Sequence, residues 1–267
     1  YSLSFKLIVM KVFKFSALAL FIGVLSACGN LRIKAYQPFQ APAKAKSVAL
    51  TSFYMAPPEL PKVPAADAEA FNKKLFKLEA DLNALMSAKL NDYYTLLDQG
   101  IEAQLDVECL AGKELEAGPR FARSQQKQEL EALQIEGARN FKNILLAEGG
   151  LTFFEFQGGD ISKYIEDSPR LKGAVRSNLK NLGTDMMAVA YSRLALERVT
   201  RYGQKANLKL KLDIYIFDEQ GRPIGHGYGE TVPVTIEGTE LSDFELVLDQ
   251  YGTLQQEVLT ELAKREE

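Results

Sequence analysis

The sequence predicts an α/β (α+β) fold: a single mixed β-sheet with packed helices, a long amphipathic helical insertion, and a C-terminal hairpin and helix. Three observations carry this expectation. Stretches with helical period alternate with strand-like stretches, residues 208–217 carry an apolar residue at every second position with a second face that is polar at its start, and a last helical pattern closes the chain. The 267 residues are 46% hydrophobic, with 15 Phe and 11 Tyr but no Trp, which is enough apolar material for a sizeable core. No repeat and no second composition regime divides residues 47–267, which are read as one globular domain.

In chain order, SVALTSFYM (residues 47–55) is rich in β-formers and predicts a strand, ended by the prolines of APPELPKVP. Over residues 65–99, Phe71, Leu75, Leu78, Leu82, Leu85, Met86, Leu90, Tyr93 and Leu97 recur at three- and four-residue steps. That spacing predicts a long amphipathic helix ending near Gly100. Residues 101–120 fit either a helical continuation or a short strand. A second helix is predicted over 122–147, with Leu130, Leu133, Phe141, Ile144 and Leu145 on one side and Gly149-Gly150 as its stop. The helical insertion thus covers about 65–147.

LTFFEF (151–156) predicts a strand and residues 161–167 a short helix; Pro169 opens another helix, which Gly183 closes. The apolar run MMAVAYSRLALER (186–198) predicts a central strand, with helix as the alternative, and residues 199–207 a turn. In LKLKLDIYIF, Leu208, Leu210, Leu212, Ile214 and Ile216 form one face, against Lys209, Lys211, Asp213, Tyr215 and Phe217 on the other. DEQG turns the chain. On the return, Ile224, His226, Tyr228, Val232, Val234 and Ile236 share a face, and Gly225, Gly227 and Gly229 share the opposite one. SDFE (242–245) predicts a capping box and a last helix burying Phe244, Leu248, Tyr251, Leu254, Val258 and Leu262.

The N-terminal stretch FKFSALALFIGVLSACGN (13–30) follows Lys11 and carries Lys14 before an apolar run. The run is shorter than the roughly 20 apolar residues a bilayer span needs, and it has the layout of a secretory signal. Met10 is read as the start and residues 1–27 as the signal peptide. Leu25-Ser26-Ala27-Cys28 resembles the lipobox of bacterial lipoproteins. That resemblance implies cleavage before Cys28, a diacylglyceryl thioether on Cys28 and an acylated (palmitate-type) new amino terminus. Gly29, standing where an inner-membrane retention Asp would be, points to the cell outer membrane with the domain facing the periplasm. Residues 28–46 are read as lipidated Cys and tether, rich in Pro, Ala and Lys without periodicity.

Removing residues 1–27 takes away three of the 32 Lys and Arg and none of the 35 Asp and Glu, leaving 29 against 35. Nucleic-acid binding needs clustered positive charge, which is missing. With Cys28 lipidated, Cys109 has no partner for a disulfide, and with one His it cannot build a zinc cluster. It reads as a small semi-buried residue.

No catalytic residue, no metal and no cofactor is predicted. GHGYG has glycines at G-x-G-x-G inside a strand, whereas a dinucleotide fingerprint needs G-x-G-x-x-G between strand and helix; the glycines read instead as a face cleared for close packing. His226 is the only His and reads as a core-edge residue on an apolar face. A buried cleft where His226 met a carboxylate would revive a hydrolase. Residues 158–160 (GGD) and 218–221 (DEQG) read as turn chemistry. The helix 65–99 carries the sharper alternative: Phe71, Leu75, Leu78, Leu82 and Met86 could contact membrane or lipid, with Lys73, Lys74 and Lys77 near anionic headgroups.

The order of SVALTSF, LTFFEF, MMAVAYSRL and the 208–230 hairpin resembles the fold shared by the TolB N-terminal domain and CsgG-like envelope lipoproteins. A looser likeness, on the lipobox and helix 65–99, is to spirochaete outer-membrane lipoproteins that embed amphipathic helices. The expected function is a membrane-anchored envelope lipoprotein acting as a non-catalytic binding or assembly component. Its expected partners are membrane lipid through Cys28 and an envelope protein or apolar ligand. The alternatives are a membrane-active or lipid-binding protein using helix 65–99 and, disfavoured, an envelope hydrolase.

Overall fold

The computed structural model describes residues 31–59, 65–117, 120, 145–146 and 168–264. Expectations for 1–30, 122–144, 147–150, the strand 151–156, the GGD turn 158–160 and the helix 161–167 lie outside the described residues, and so does the lipobox. The elements below belong to one unit, Arg32–Glu267. In chain order they are strand β1 (Arg32–Gln37), β2 (Ser47–Glu59), helix α1 (Ala65–Leu105), β3 (Glu108–Leu110) and the short α2 (Lys113–Glu116). Then follow β4 (Leu145–Leu146), α3 (Pro169–Leu182), β5 (Met186–Val199), a 3-10 turn (Arg201–Gly203) and β6 (Ala206–Asp218). The chain closes with β7 (Pro223–Glu230), β8 (Val234–Ile236), α4 (Ser242–Leu248) and α5 (Tyr251–Leu262).

The strands form one mixed sheet in the order β1-β7-β6-β5-β2-β3, with β4 paired to β2 and β8 to β6. β2 runs parallel to β5 and β3; the remaining pairings are antiparallel. The α+β fold, the long helix and the C-terminal hairpin and helix are those the sequence predicts. The stretch 186–198 is a central strand and not a helix, because both its edges are paired, to β6 and to β2.

Several boundaries differ, each for a local reason. Residues 32–37 of the segment read as tether form an edge strand: Ile33 and Ala35 alternate with Arg32, Lys34 and Tyr36, and β1 pairs with β7 from Arg32↔Glu230 to Gln37↔His226. β2 runs on through Pro57 and Pro58, with an irregular register between Ala56 and Glu59 that tolerates the missing donors. Helix α1 continues to Leu105, and the chain then turns at Asp106 (φ 55°) into β3. Both readings of residues 101–120 are therefore realised in sequence. Leu145 and Leu146, expected at the end of a helix, pair with Met55 and Tyr54 as a strand.

The capping box at 242–245 does not form. No side chain caps α4, and the Asp243 carboxylate instead accepts the Glu237 and Gly238 amides at 3.0 and 3.2 Å. The single final helix is broken at Asp249–Gln250 into α4 and α5.

One face of the sheet holds the core. Leu208, Leu210, Leu212, Ile214 and Ile216 of β6 and Leu50, Phe53 and Met55 of β2 are fully buried there. The three glycines of β7 make this face flat enough for α5. A Cβ on Gly227 would stand 2.5 Å from Leu262 and 2.8 Å from Val258, and one on Gly229 would stand 2.6 Å from Val258 and 2.7 Å from Leu254. The close approach expected of those glycines is thus made by the last helix.

Helix α1 spans about 60 Å at 1.5 Å per residue and lies against α5, the 3-10 turn and the sheet. Its buried stripe includes Phe71, Leu82, Met86, Leu90, Tyr93, Tyr94, Leu97 and Ile101. Buried phenols tie it down: Tyr93 donates to the Leu248 carbonyl at 2.8 Å and Tyr94 to the Leu50 carbonyl at 2.9 Å. Among the described residues, no helix is long and apolar enough to cross a membrane.

Candidate functional site

The opposite face of the same strands gathers charged and aromatic side chains. Strand alternation puts Lys209, Lys211, Asp213 and Tyr215 of β6 there. The register sets Asp213 opposite Tyr191 of β5 and Tyr228 of β7, and Tyr215 opposite His226. Diagonal neighbours on one face reach each other, and the pairs follow that rule. Arg193 Nη1 donates to Asp213 Oδ2 at 2.9 Å, and His226 Nε2 lies 3.0 Å from Asp213 Oδ1. His226 stacks on Tyr215 with ring centroids 4.0 Å apart and on Tyr36 of the edge strand at 4.9 Å.

His226 therefore does not sit on an apolar face as expected. Its face is the polar one, and the glycine face opposite is the one that meets α5. Asp213 and His226 are 7% and 8% exposed, so the Asp213 charge is held by its partners rather than by water.

A second group continues the cluster along the strands. Lys209 bridges Glu197 and Glu230, and the Tyr228 hydroxyl donates to Glu230. Burial would depress the Lys209 ammonium, but its hydrogen bonds to Glu197 and Glu230 outweigh that and hold it above its ordinary value. Burial would raise Glu230, yet the hydrogen bonds from Lys209 and Tyr228 keep it below the usual carboxylate range. The Tyr228 phenol is pushed up by burial and by the adjacent Glu230 charge.

Chemically, the cluster contains an imidazole with a carboxylate partner, which is two thirds of a nucleophilic triad. Among the described residues, no serine or cysteine is seen in contact with His226. Ser52 lies on β2, three strand spacings or about 14 Å from β7, and Ser192 faces the other side of the sheet, 2.7 Å from the Tyr251 hydroxyl. The imidazole is packed between tyrosines and nearly closed to solvent. The arrangement suits a rigid, internally paired cluster.

The other singled-out residues sort as follows. Phe71, Leu82 and Met86 are buried in the domain, with the Phe71 ring against Gly238; Leu75 and Leu78 are half-buried. Helix α1 exposes Phe76 and Leu96 instead. Lys73 pairs with Glu69 and Lys74 donates to the Gln204 and Glu237 carbonyls, so of the three lysines only Lys77 has no contact described here. Cys109 is buried on β3, and burial, with the Asp98 carboxylate beside it, pushes its thiol up, away from reactivity. DEQG is turn chemistry as expected: Asp218 Oδ1 accepts the Gln220 and Arg222 amides, both at 2.9 Å, with Gly221 at φ 71°.

Two cavities lie away from the polar cluster. One of about 240 Å³ sits beside Tyr94, Asp98 and Gly112, and one of about 510 Å³ lies between Phe39, Gln40, Leu105 and Asp106.

The Asp213–His226 pair was not anticipated from the sequence. The signal was present in the hairpin: a turn centred on residues 219–221 brings residues 213 and 226 within one diagonal step.

A mixed sheet with α5 against its glycine face and a buried polar cluster on the opposite face defines an α+β domain and no particular activity. No family model and no curated protein matches the chain. Among solved structures it is similar to a PelC dodecamer from Paraburkholderia phytofirmans, at 13% identity and a TM-score of 0.32, covering 88% of this chain and 100% of that one. A variant of the same PelC dodecamer gives 10% identity and a TM-score of 0.32, over 89% and 99% of the two chains. Likeness at that level transfers no residue role, ligand or assembly.

Proposed function

We propose that this protein is a lipid-anchored component of the bacterial cell envelope that binds or assembles with an envelope protein partner and carries out no catalysis. The observation that carries the reading is Leu25-Ser26-Ala27-Cys28 at the end of a short apolar run preceded by lysines. Acylation of Cys28 supplies the location, because more than one acyl chain gives stable membrane attachment. The anchor lies in the outer membrane and the domain faces the periplasm. The internal pairing of the polar cluster favours a non-catalytic reading: its charges are paired with each other, its imidazole is packed between tyrosine rings, and among the described residues no serine or cysteine is seen in contact with that imidazole. The burial of Phe71, Leu82 and Met86 argues against the alternative in which helix α1 itself enters the bilayer.

The test is the intact mass of protein extracted from membranes, compared with a Cys28→Ser variant. The expected result is a chain beginning at residue 28 and heavier than its amino-acid sequence by the mass of a diacylglyceryl group and a further acyl chain, with no such addition in the variant. An unmodified mass for the membrane-extracted protein contradicts the proposal.

A further inference from the structure

We propose that the cavity at which helices α1 and α5 end is the docking site for a lysine or arginine side chain of a partner protein. This rests on the partner-binding reading above and gives it a surface and a chemistry. The cavity measures about 510 Å³. Pockets of roughly 300–1,000 Å³ hold whole small molecules, so a long basic side chain and part of the main chain that carries it fit here.

The fold builds this cavity from three segments. Gln104 and Leu105 bring the last turn of α1 to one wall, and Ala263, directly after α5, forms another. The segment after β1 closes the third side. It is held there by the Phe39 amide, which donates to the Leu262 carbonyl at 2.8 Å, and by the Gln40 amide, which donates to the Ile224 carbonyl at 2.9 Å. The Phe39 ring rests near the glycine face of β7, where a Cβ on Gly225 would stand 3.5 Å from it.

Charge decides the occupant. A helix carries roughly half an elementary negative charge at its carboxyl end, and two helices end at this cavity. Neither α1 nor α5 has a basic residue in its last turn. Asp106, on the cavity wall, adds a full carboxylate; it is exposed, and among the described residues no ion pair is seen at it. No Lys or Arg lines the cavity, and Lys264, the cation next to it in the chain, pairs with Glu261. Between these charges the walls are apolar, made by the buried Leu105 and the half-buried Phe39. A hydrated metal ion gains nothing from such walls. An ammonium or guanidinium on a hydrocarbon stem uses both features, with its head at Asp106 and its stem along Leu105 and Phe39. Gln40 and Gln104 each present an amide donor and acceptor, which suit the main chain of a peptide rather than a free amine.

The probe is the peptide acetyl-ALKLA-amide, compared with the same peptide carrying norleucine in place of lysine. Binding to the full protein on phosphatidylcholine vesicles, which have no net charge, is read by saturation-transfer NMR. The lysine peptide is expected to bind about tenfold more tightly than the norleucine peptide. Asp106 has φ 55°, a conformation that Asn adopts as readily as Asp, so Asp106→Asn removes the charge and keeps the turn. In that variant the lysine peptide is expected to lose about tenfold in affinity and the norleucine peptide to lose none. Ala41→Trp, at an exposed position on the cavity wall, is expected to weaken both peptides, with circular dichroism showing that each variant is folded. Equal affinity for the two peptides, no binding of the lysine peptide, or undiminished binding of it by Asp106→Asn overturns the site. Protein acylated on Cys28 that ignores the lysine peptide overturns this site and leaves the anchored reading standing. Protein that binds the peptide but carries no lipid on Cys28 overturns the anchor and leaves the site.

Discussion

On one face of the sheet, Leu208, Leu210, Leu212, Ile214 and Ile216 lie fully buried under helices; on the other, Lys209, Asp213 and Tyr215 of the same strand are almost as inaccessible. The first face is closed by apolar packing, with glycines on β7 removing every obstacle to α5. On the second, the charged groups are held by pairing: Asp213 with Arg193 and His226, and Lys209 with Glu197 and Glu230. Equal burial therefore hides two different sensitivities. The helix face depends on volume, and the polar face depends on every charge keeping its partner.

The largest expected effect is on the helix side. Phe71→Ala empties a fully buried site against Gly238 and is expected to cost about 4 kcal/mol, read as a lower urea midpoint at an unchanged slope. A near-zero cost would mean that Phe71 is not core and would reopen the membrane-active reading of helix α1. Next comes Asp213→Ala, which strands Arg193 and His226 on the polar face and is expected to cost about 3 kcal/mol. Removing the whole group with a volume-matched apolar set is expected to restore most of that loss, because the penalty belongs to unpaired charge; failure of that rescue would break the contrast between the faces.

Gly227→Val sharpens the volume side. Its side chain meets Val258 and Leu262, and the expected loss is about 2 kcal/mol by thermal unfolding, whereas Lys211→Ala on the half-exposed rim of the other face changes little.

The smallest effect is the part of the pH dependence that the polar face contributes. Glu230 titrates below its ordinary range in the fold, so its contribution is complete above about pH 4.3 and is lost as pH falls through its lowered folded value. Lys209 titrates above its ordinary value, so its contribution is complete below about pH 10.4 and is lost as pH rises through its raised folded value. Urea titrations are expected to show an acid limb as pH falls through the lowered Glu230 value, while on the alkaline side the buried Cys109 thiol, itself pushed up, adds its own loss. In Glu230→Gln the acid limb is expected to flatten.

The legible parts of the fold were those with a strong period. The alternation in residues 208–217 fixes β6, and the stripe from Phe71 to Leu97 fixes helix α1. The β7 glycines announced a close neighbour before the neighbour was known. The edge strand β1 was hidden because its polar residues and the following prolines resemble a linker, although Ile33 and Ala35 do alternate; its pairing comes from β7, far along the chain. The polar cluster was hidden for the same reason. Asp213 and His226 look unremarkable separately, and only the hairpin register makes them neighbours. In the capping box, Ser242 and Glu245 had the right spacing, but Asp243 accepts amides from the preceding turn instead.

The central claim is that the folded domain keeps its apolar surface inside and owes its place at a membrane to Cys28. Flotation on phosphatidylethanolamine–phosphatidylglycerol vesicles tests it, comparing the full acylated protein with a chain of residues 29–267. The account predicts that the acylated protein floats and that the shorter chain, folded by circular dichroism, stays in solution. A folded 29–267 chain that floats equally well would contradict it.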